Sequence, residues 1–207
     1  MTQHSAISPN GGTLARDMLI AVAAMCGVVA LSNYAVQFPF VHFGLQDYLT
    51  WGAFAYPVAF LITDLTNRRL GAARARKVVF AGFILAVILS VVLATPRIAL
   101  ASGSAFLVAQ LLDVSVFDRL RTDKWWKAPL VSSIIGSAVD TALFFTLAFA
   151  GSGLPVVGYA VAGGMSAPVW VGWAVSDWLV KMMFAIAMLV PFRALMGRVT
   201  PAVAKPA

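Results

Sequence analysis

Apolar residues fall along the chain in six blocks separated by short polar or basic links, and each block is about as long as a bilayer is thick. The blocks are Met18–Val36, Tyr48–Asp64, Lys77–Thr95, Ile98–Phe117, Pro129–Ala150 and Val169–Phe192. They predict an all-α polytopic membrane protein, a bundle of six transmembrane helices filling residues 18–196. Residues 1–17, polar and interrupted by Pro and Gly, predict a disordered N-terminal tail, and residues 197–207 a short C-terminal one. The first block is too long for the apolar core of a signal peptide, and the residues before it offer only Arg16, so it reads as a retained helix.

Composition supports the same class. Of 207 residues, 61% are hydrophobic and 11% charged, where soluble domains carry roughly 25%. The charge is +7, and its distribution says what that charge is for. Arg68, Arg69, Arg74, Arg76 and Lys77 lie between the second and third blocks, and Arg119, Arg121, Lys124 and Lys127 between the fourth and fifth. Arg193, Arg198 and Lys205 follow the last, while the opposite links hold only Arg97. That asymmetry predicts six spans with both termini in the cytoplasm and basic links against anionic lipid; no nucleic-acid partner is needed to explain it. Trp51, Trp170 and the Trp125–Trp126 pair read as interface anchors. The lone Cys26, with His4 and His42 outside the spans, offers neither a disulfide nor a metal site, and nothing implies a cofactor.

Against this background the polar residues inside the blocks stand out. The stretch GWAVSDWLVKMM places Asp177 and Lys181 within an apolar run, where each charge costs about 2.5–3.5 kcal/mol even on insertion scales. Asp140 falls near the middle of the fifth span, Asp64 and Asp113 in the inner halves of the second and fourth, and Asn33 toward the outer end of the first. Every acid in the chain is Asp, too short to reach the interface from such depths. Helical spacing aligns Trp173, Asp177, Lys181 and Phe184 on one face of the sixth span. Ser133, Gly136, Ser137, Asp140 and Phe144 form a stripe on the fifth, and Gln110, Asp113 and Phe117 on the fourth. Asp64, Asn67 and Arg68 share a face at the inner end of the second, which Pro57 bends.

Each feature also has a plainer reading. Asp177 and Lys181 make a purely structural ion pair, Asp64–Arg68 and Asp118–Arg121 fix helix ends, and Trp173 is core packing. The number of acids at similar depth on different helices favours a polar midplane cavity instead.

The segments YPVAFLITDLTNRRLGAARARKVVFAGF (Tyr56–Phe83), AQLLDVSVFDRLR (Ala109–Arg121) and WWKAPLVSSIIGSAVDTALFF (Trp125–Phe145) closely resemble the queuosine precursor transporter family, also called the vitamin uptake transporter family. SNYAVQFPF and SDWLVKMM fit the same pattern, so the resemblance runs from about Asn33 to Lys181. It implies a bacterial inner-membrane carrier, not an enzyme, that imports cyano- or aminomethyl-deazaguanine bases. A guanine-like ring presents adjacent N–H donors to a carboxylate, an acceptor oxygen to an amide or ammonium, and flat faces for stacking. On that reading Asp140 or Asp177 meets the donor edge, Lys181, Asn33 or Gln110 the acceptor edge, and Trp173 or Phe144 the ring. Asp64, Asn67, Arg68 and Asp113 are left as gating or helix-end ion pairs.

Two competing functions remain open. One is a substrate-binding subunit of an energy-coupling-factor vitamin importer, which docks through Ala-x-x-x-Ala in the first span; Ala23-x-x-x-Gly27 is the nearest match here. The other is a membrane enzyme using Asp113 and Asp118 as paired acids, though a spacing of five puts them on different helix faces. The link GSGLPVVGYAVAGGMSAP is read as an outer lid or as a loop resting on the bilayer, and homo-oligomerisation is left open.

Overall fold

The computed structural model describes residues 11–159 and 165–197. The helices are α1 (Gly11–Ala35), α2 (Gly52–Ala55), α3 (Val58–Leu70), α4 (Ala72–Leu93), α5 (Pro96–Leu120), α6 (Lys127–Phe149), α7 (Val169–Ala187) and α8 (Leu189–Met196). Five stretches are long and apolar enough to cross a membrane: α1, α4, α5, α6 and the nearly continuous α7–α8 segment, Val169–Met196. Their outward faces are apolar, with Leu19, Ile84, Val92, Met183 and Ile186 all more than half exposed. The chain is a polytopic helical membrane protein.

The second apolar block departs from a single span. Pro57 lacks the N–H that would continue the ladder, so α2 stops after one turn and α3 begins at Val58. Tyr56 and Pro57 keep helical dihedrals, so the chain bends here rather than turning away. At the far end Gly71 adopts φ 83°, a conformation open to glycine, and α4 starts at the next residue. The tight basic link expected there is this one-residue turn.

Two further stretches have defined structure. Gly11–Asp17 extends α1 instead of belonging to a tail, and Asp17 is tied to Arg69 of α3 at 2.6 Å. Residues 1–10 and 198–207 lie outside the described residues, as does part of each predicted tail. The Gly-rich link after α6 forms an antiparallel hairpin, β1 (Val156–Tyr159) with β2 (Met165–Pro168), in register Val156↔Pro168. Pairing satisfies backbone groups that a bare loop near lipid would leave unmet. Its residues 160–164 are outside the described range.

Small residues let the helices close. A Cβ at Gly136 of α6 would stand 2.8 Å from the Phe60 ring of α3, so that crossing depends on glycine. Met25, Val29, Ala59, Val78, Val79, Phe106 and Val114 join α1, α3, α4 and α5 in one apolar core. A second cluster, Phe117, Ala128 and Phe192, seals the end of the bundle that carries the basic links. At the opposite end a smaller cluster, Phe40, Leu49 and Ala53, packs to one side and leaves the bundle open.

Candidate functional site

At that open end, where α1, α4 and α6 finish, the helices splay around a cavity of about 480 Å³. This is the size of a pocket for a small organic ligand. The segment 46–50 and the outer turns of α1, α4 and α5 form its rim, and α6 and α7 supply its polar floor.

Three charges meet on the floor. Lys181 Nζ lies 2.7 Å from Asp140 Oδ2 on α6 and 2.6 Å from Asp177 Oδ2 one turn back on α7. Asp before Lys at a spacing of four is the favourable orientation on a helix, and α6 adds the second acid from across the interface. Lys181 and Asp140 are both buried, and Asp177 is 16% exposed. Thr141 takes a hydrogen bond from Lys181 at 3.2 Å and gives one to Asp177 at 2.8 Å. Tyr56, at the helix break, donates its hydroxyl to Asp140 Oδ1 at 3.0 Å and sets its ring 5.3 Å from the ammonium. Two carboxylates to one ammonium leave the floor with one negative charge uncompensated.

Sequence reasoning named most of these residues. Asp140, Asp177, Lys181, Phe144, Trp173 and Asn33 all line the cavity. Trp173 stands edge-on to Phe149 at 5.5 Å, and Phe144 edge-on to the same ring at 6.2 Å, so the aromatic wall has ordered faces. Asn33 donates to Val29 O of its own helix and accepts from Ser90, which holds its amide at the rim. Tyr56 and Thr141 were missed. The signal available for Tyr56 was its place before Pro57, where a broken helix turns a side chain toward the site.

The other polar residues singled out in the sequence fall elsewhere. Gln110 does not reach the cavity: it is fully buried, and its Oε1 accepts from Thr63 at 2.6 Å. Asp64 does not pair with Arg68. It turns inward, against Asp113, and accepts from Ser132 at 3.3 Å. Asn67 donates to Val114 O at 2.9 Å, linking α3 to α5. Asp118 does pair with Arg121, at 3.1 Å, while Asp113 is wholly buried; the two acids of the enzyme reading thus sit in unrelated surroundings.

In sequence the chain is similar to known transporters. The model of a family described as putative vitamin uptake transporter matches residues 50–95 and 89–196. The chain is 35% identical over 185 residues to the queuosine precursor transporter of Escherichia coli (strain K12), covering 79% of each chain. It is 36% identical over 195 residues to a probable queuosine precursor transporter of Haemophilus influenzae, again covering 79% of each. A probable queuosine precursor transporter of Bacillus subtilis is 29% identical over 175 residues, 71% of this chain and 69% of that one. No solved structure matches the chain.

Proposed function

The chain belongs to the vitamin uptake transporter family, the family of the queuosine precursor transporters, and from that premise we propose that it imports deazaguanine bases through the cavity described above. As a transporter it is not an enzyme. The proposed cargo is cyano- and aminomethyl-deazaguanine, taken up across a bacterial inner membrane.

The observation that carries this reading is the floor of Tyr56, Asp140, Asp177 and Lys181 beneath an aromatic wall. A carboxylate accepts from the adjacent ring N–H groups, and the ammonium meets the ring oxygen. Trp173 or Phe144 covers a flat face. The uncompensated negative charge suits the aminomethyl base, whose amine is cationic at neutral pH. Binding exchanges part of the Lys181 pairing for bonds to the ring, which limits net affinity and permits release.

We place six crossings in the membrane, with α2 and α3 together forming the second. Gly52 to Leu70 supplies about 28 Å of bent helix, near the thickness of the hydrocarbon core. The basic links then lie in the cytoplasm, and the cavity opens outward.

The test is uptake of labelled cyano- and aminomethyl-deazaguanine into proteoliposomes containing this chain alone. Saturable uptake is expected. Asp140→Asn should weaken it by roughly 10–100-fold, the worth of a charge-assisted hydrogen bond, while leaving Asp177 to hold Lys181. Wild-type vesicles that take up neither base would overturn the reading.

A further inference from the structure

The floor does not use the second buried pair of acids. Asp64 of α3 and Asp113 of α5 are 2% and 0% exposed, and their carboxyls lie against each other beside Ser132 of α6. The pair is short of hydrogens. Ser132 offers one hydroxyl, to Asp64 Oδ1 at 3.3 Å, and neither oxygen of Asp113 has an N–H or O–H partner in hydrogen-bond geometry. Gln110, one turn away on α5, gives none of its amide hydrogens to the pair, and the buried Asn67 Oδ1 has no donor either.

Nor, among the described residues, does a cation form an ion pair with either acid. Lys181 is engaged by Asp140 and Asp177, Arg69 by Asp17, and Arg121 by Asp118. Arg193 of α8 stands over the Trp125 ring, and Arg68 is in none of the ion pairs found among the described residues. The α4 residues packed in this region, Ala75, Val78 and Val79, are apolar. Two adjacent buried carboxylates with neither a cation nor enough donors form a place where a single proton can be held between them, as in paired-acid sites.

Asp64 also lies next to the cavity floor. Asp64 and Lys181 line one narrow cleft of about 10 Å³, together with Ser133 and Ser137 of α6. Beyond it, Phe117 and Phe192 seal the end of the bundle that bears the basic links.

We propose that Asp64 and Asp113 form the proton site of a proton-coupled carrier, one step deeper than the substrate. A proton reaching the site through the cavity forms an O–H bond on one carboxylate oxygen. The bond breaks when the bundle opens on the other side and the proton passes to water there. Nothing else is consumed, and cargo and proton move inward together. The inference rests on the uptake reading above.

The experiment uses the full chain in proteoliposomes, with labelled cyano-deazaguanine, whose neutrality leaves the proton as the driving ion. Equilibrium binding of the same base to the purified protein is measured alongside. An inward gradient of one pH unit should accumulate the base about tenfold over the external concentration, and a protonophore should abolish this. Asp113→Asn, and Asp64→Asn as a second variant, should lower the accumulation ratio to about one. Both should melt close to wild type, since an amide supplies the missing donor. Binding and equilibration without any response to the pH gradient would overturn the proton site and leave the uptake reading standing. A response to a sodium gradient at constant pH in place of the proton gradient would overturn it equally. Absence of binding would remove both.

Discussion

Lys181→Met is the sharpest perturbation of the floor. The ammonium is 5% exposed and lies within 2.7 Å of two carboxylates from different helices. Removing it strands Asp140 and Asp177 together, leaving, among the described residues, Tyr56 and Thr141 to donate to them. Breaking a buried pair by deleting one partner costs roughly 3–5 kcal/mol. Asp177, partly exposed, contributes the smaller share, so the cost should stay within that range rather than double. For a chain of this length each kcal/mol corresponds to about 2–4 °C, which places the melting temperature roughly 6–20 °C below wild type. The comparison that isolates charge is the triple variant Asp140→Asn/Asp177→Asn/Lys181→Met, in which no ion remains to be stranded. It should recover most of the lost stability and still fail in uptake. Replacing Asp177 and Lys181 alone is not an adequate control, since Asp140 would then stand uncompensated. Thermal denaturation of the purified proteins in detergent, followed by intrinsic fluorescence, measures all three. A Lys181→Met protein that melts within 2 °C of wild type would refute the account of the floor as a mutually dependent charge cluster.

Three further outcomes are expected. Tyr56→Phe keeps the ring beside Lys181 but removes the hydroxyl that donates to Asp140, so it should cost about 1–3 kcal/mol of base binding and little thermal stability, measured by titration calorimetry and melting. Gly136→Ala places a methyl 2.8 Å from Phe60 and should destabilise by about 1–3 kcal/mol; a variant that melts as wild type does would contradict the close α3–α6 crossing. In whole cells lacking the native thiol (Cys26→Ser), a cysteine at Ser152 should react with an impermeant maleimide while one at Arg74 should not, and the reverse pattern would invert the proposed orientation.

How much of this was legible in the sequence depends on how far apart the partners lie along the chain. Periodicity on one helix found the Asp177–Lys181 pair and put Trp173 on the same face. It was blind to the contact between Lys181 and Asp140, which are 41 residues apart on facing helices. The same limit misplaced Asp64: its spacing from Arg68 suggested a local pair, but the packing of α3 turns it toward Asp113 instead. Gln110 and Asp113 share a stripe, yet that stripe meets α3 below the cavity, and how deep the cavity reaches is set by where the helices splay. Tyr56 read as one more aromatic in an apolar run. The hairpin after α6 depends on pairing between Val156–Tyr159 and Met165–Pro168, which neither strand reveals alone.

The odd number of charges on the cavity floor has an electrical consequence. In a membrane that is negative inside, a net charge carried through the field gains or loses about 2.3 kcal/mol per 100 mV. An empty floor with one excess negative charge would be drawn toward the outer face, ready for the next cargo. A cargo bearing one positive charge would cancel that excess, and with a proton held by Asp64 and Asp113 the loaded carrier would pass inward with less opposition from the voltage than the empty one. The resting potential would then act mainly on the return of the unloaded carrier, and voltage would set the turnover of this protein more than its affinity.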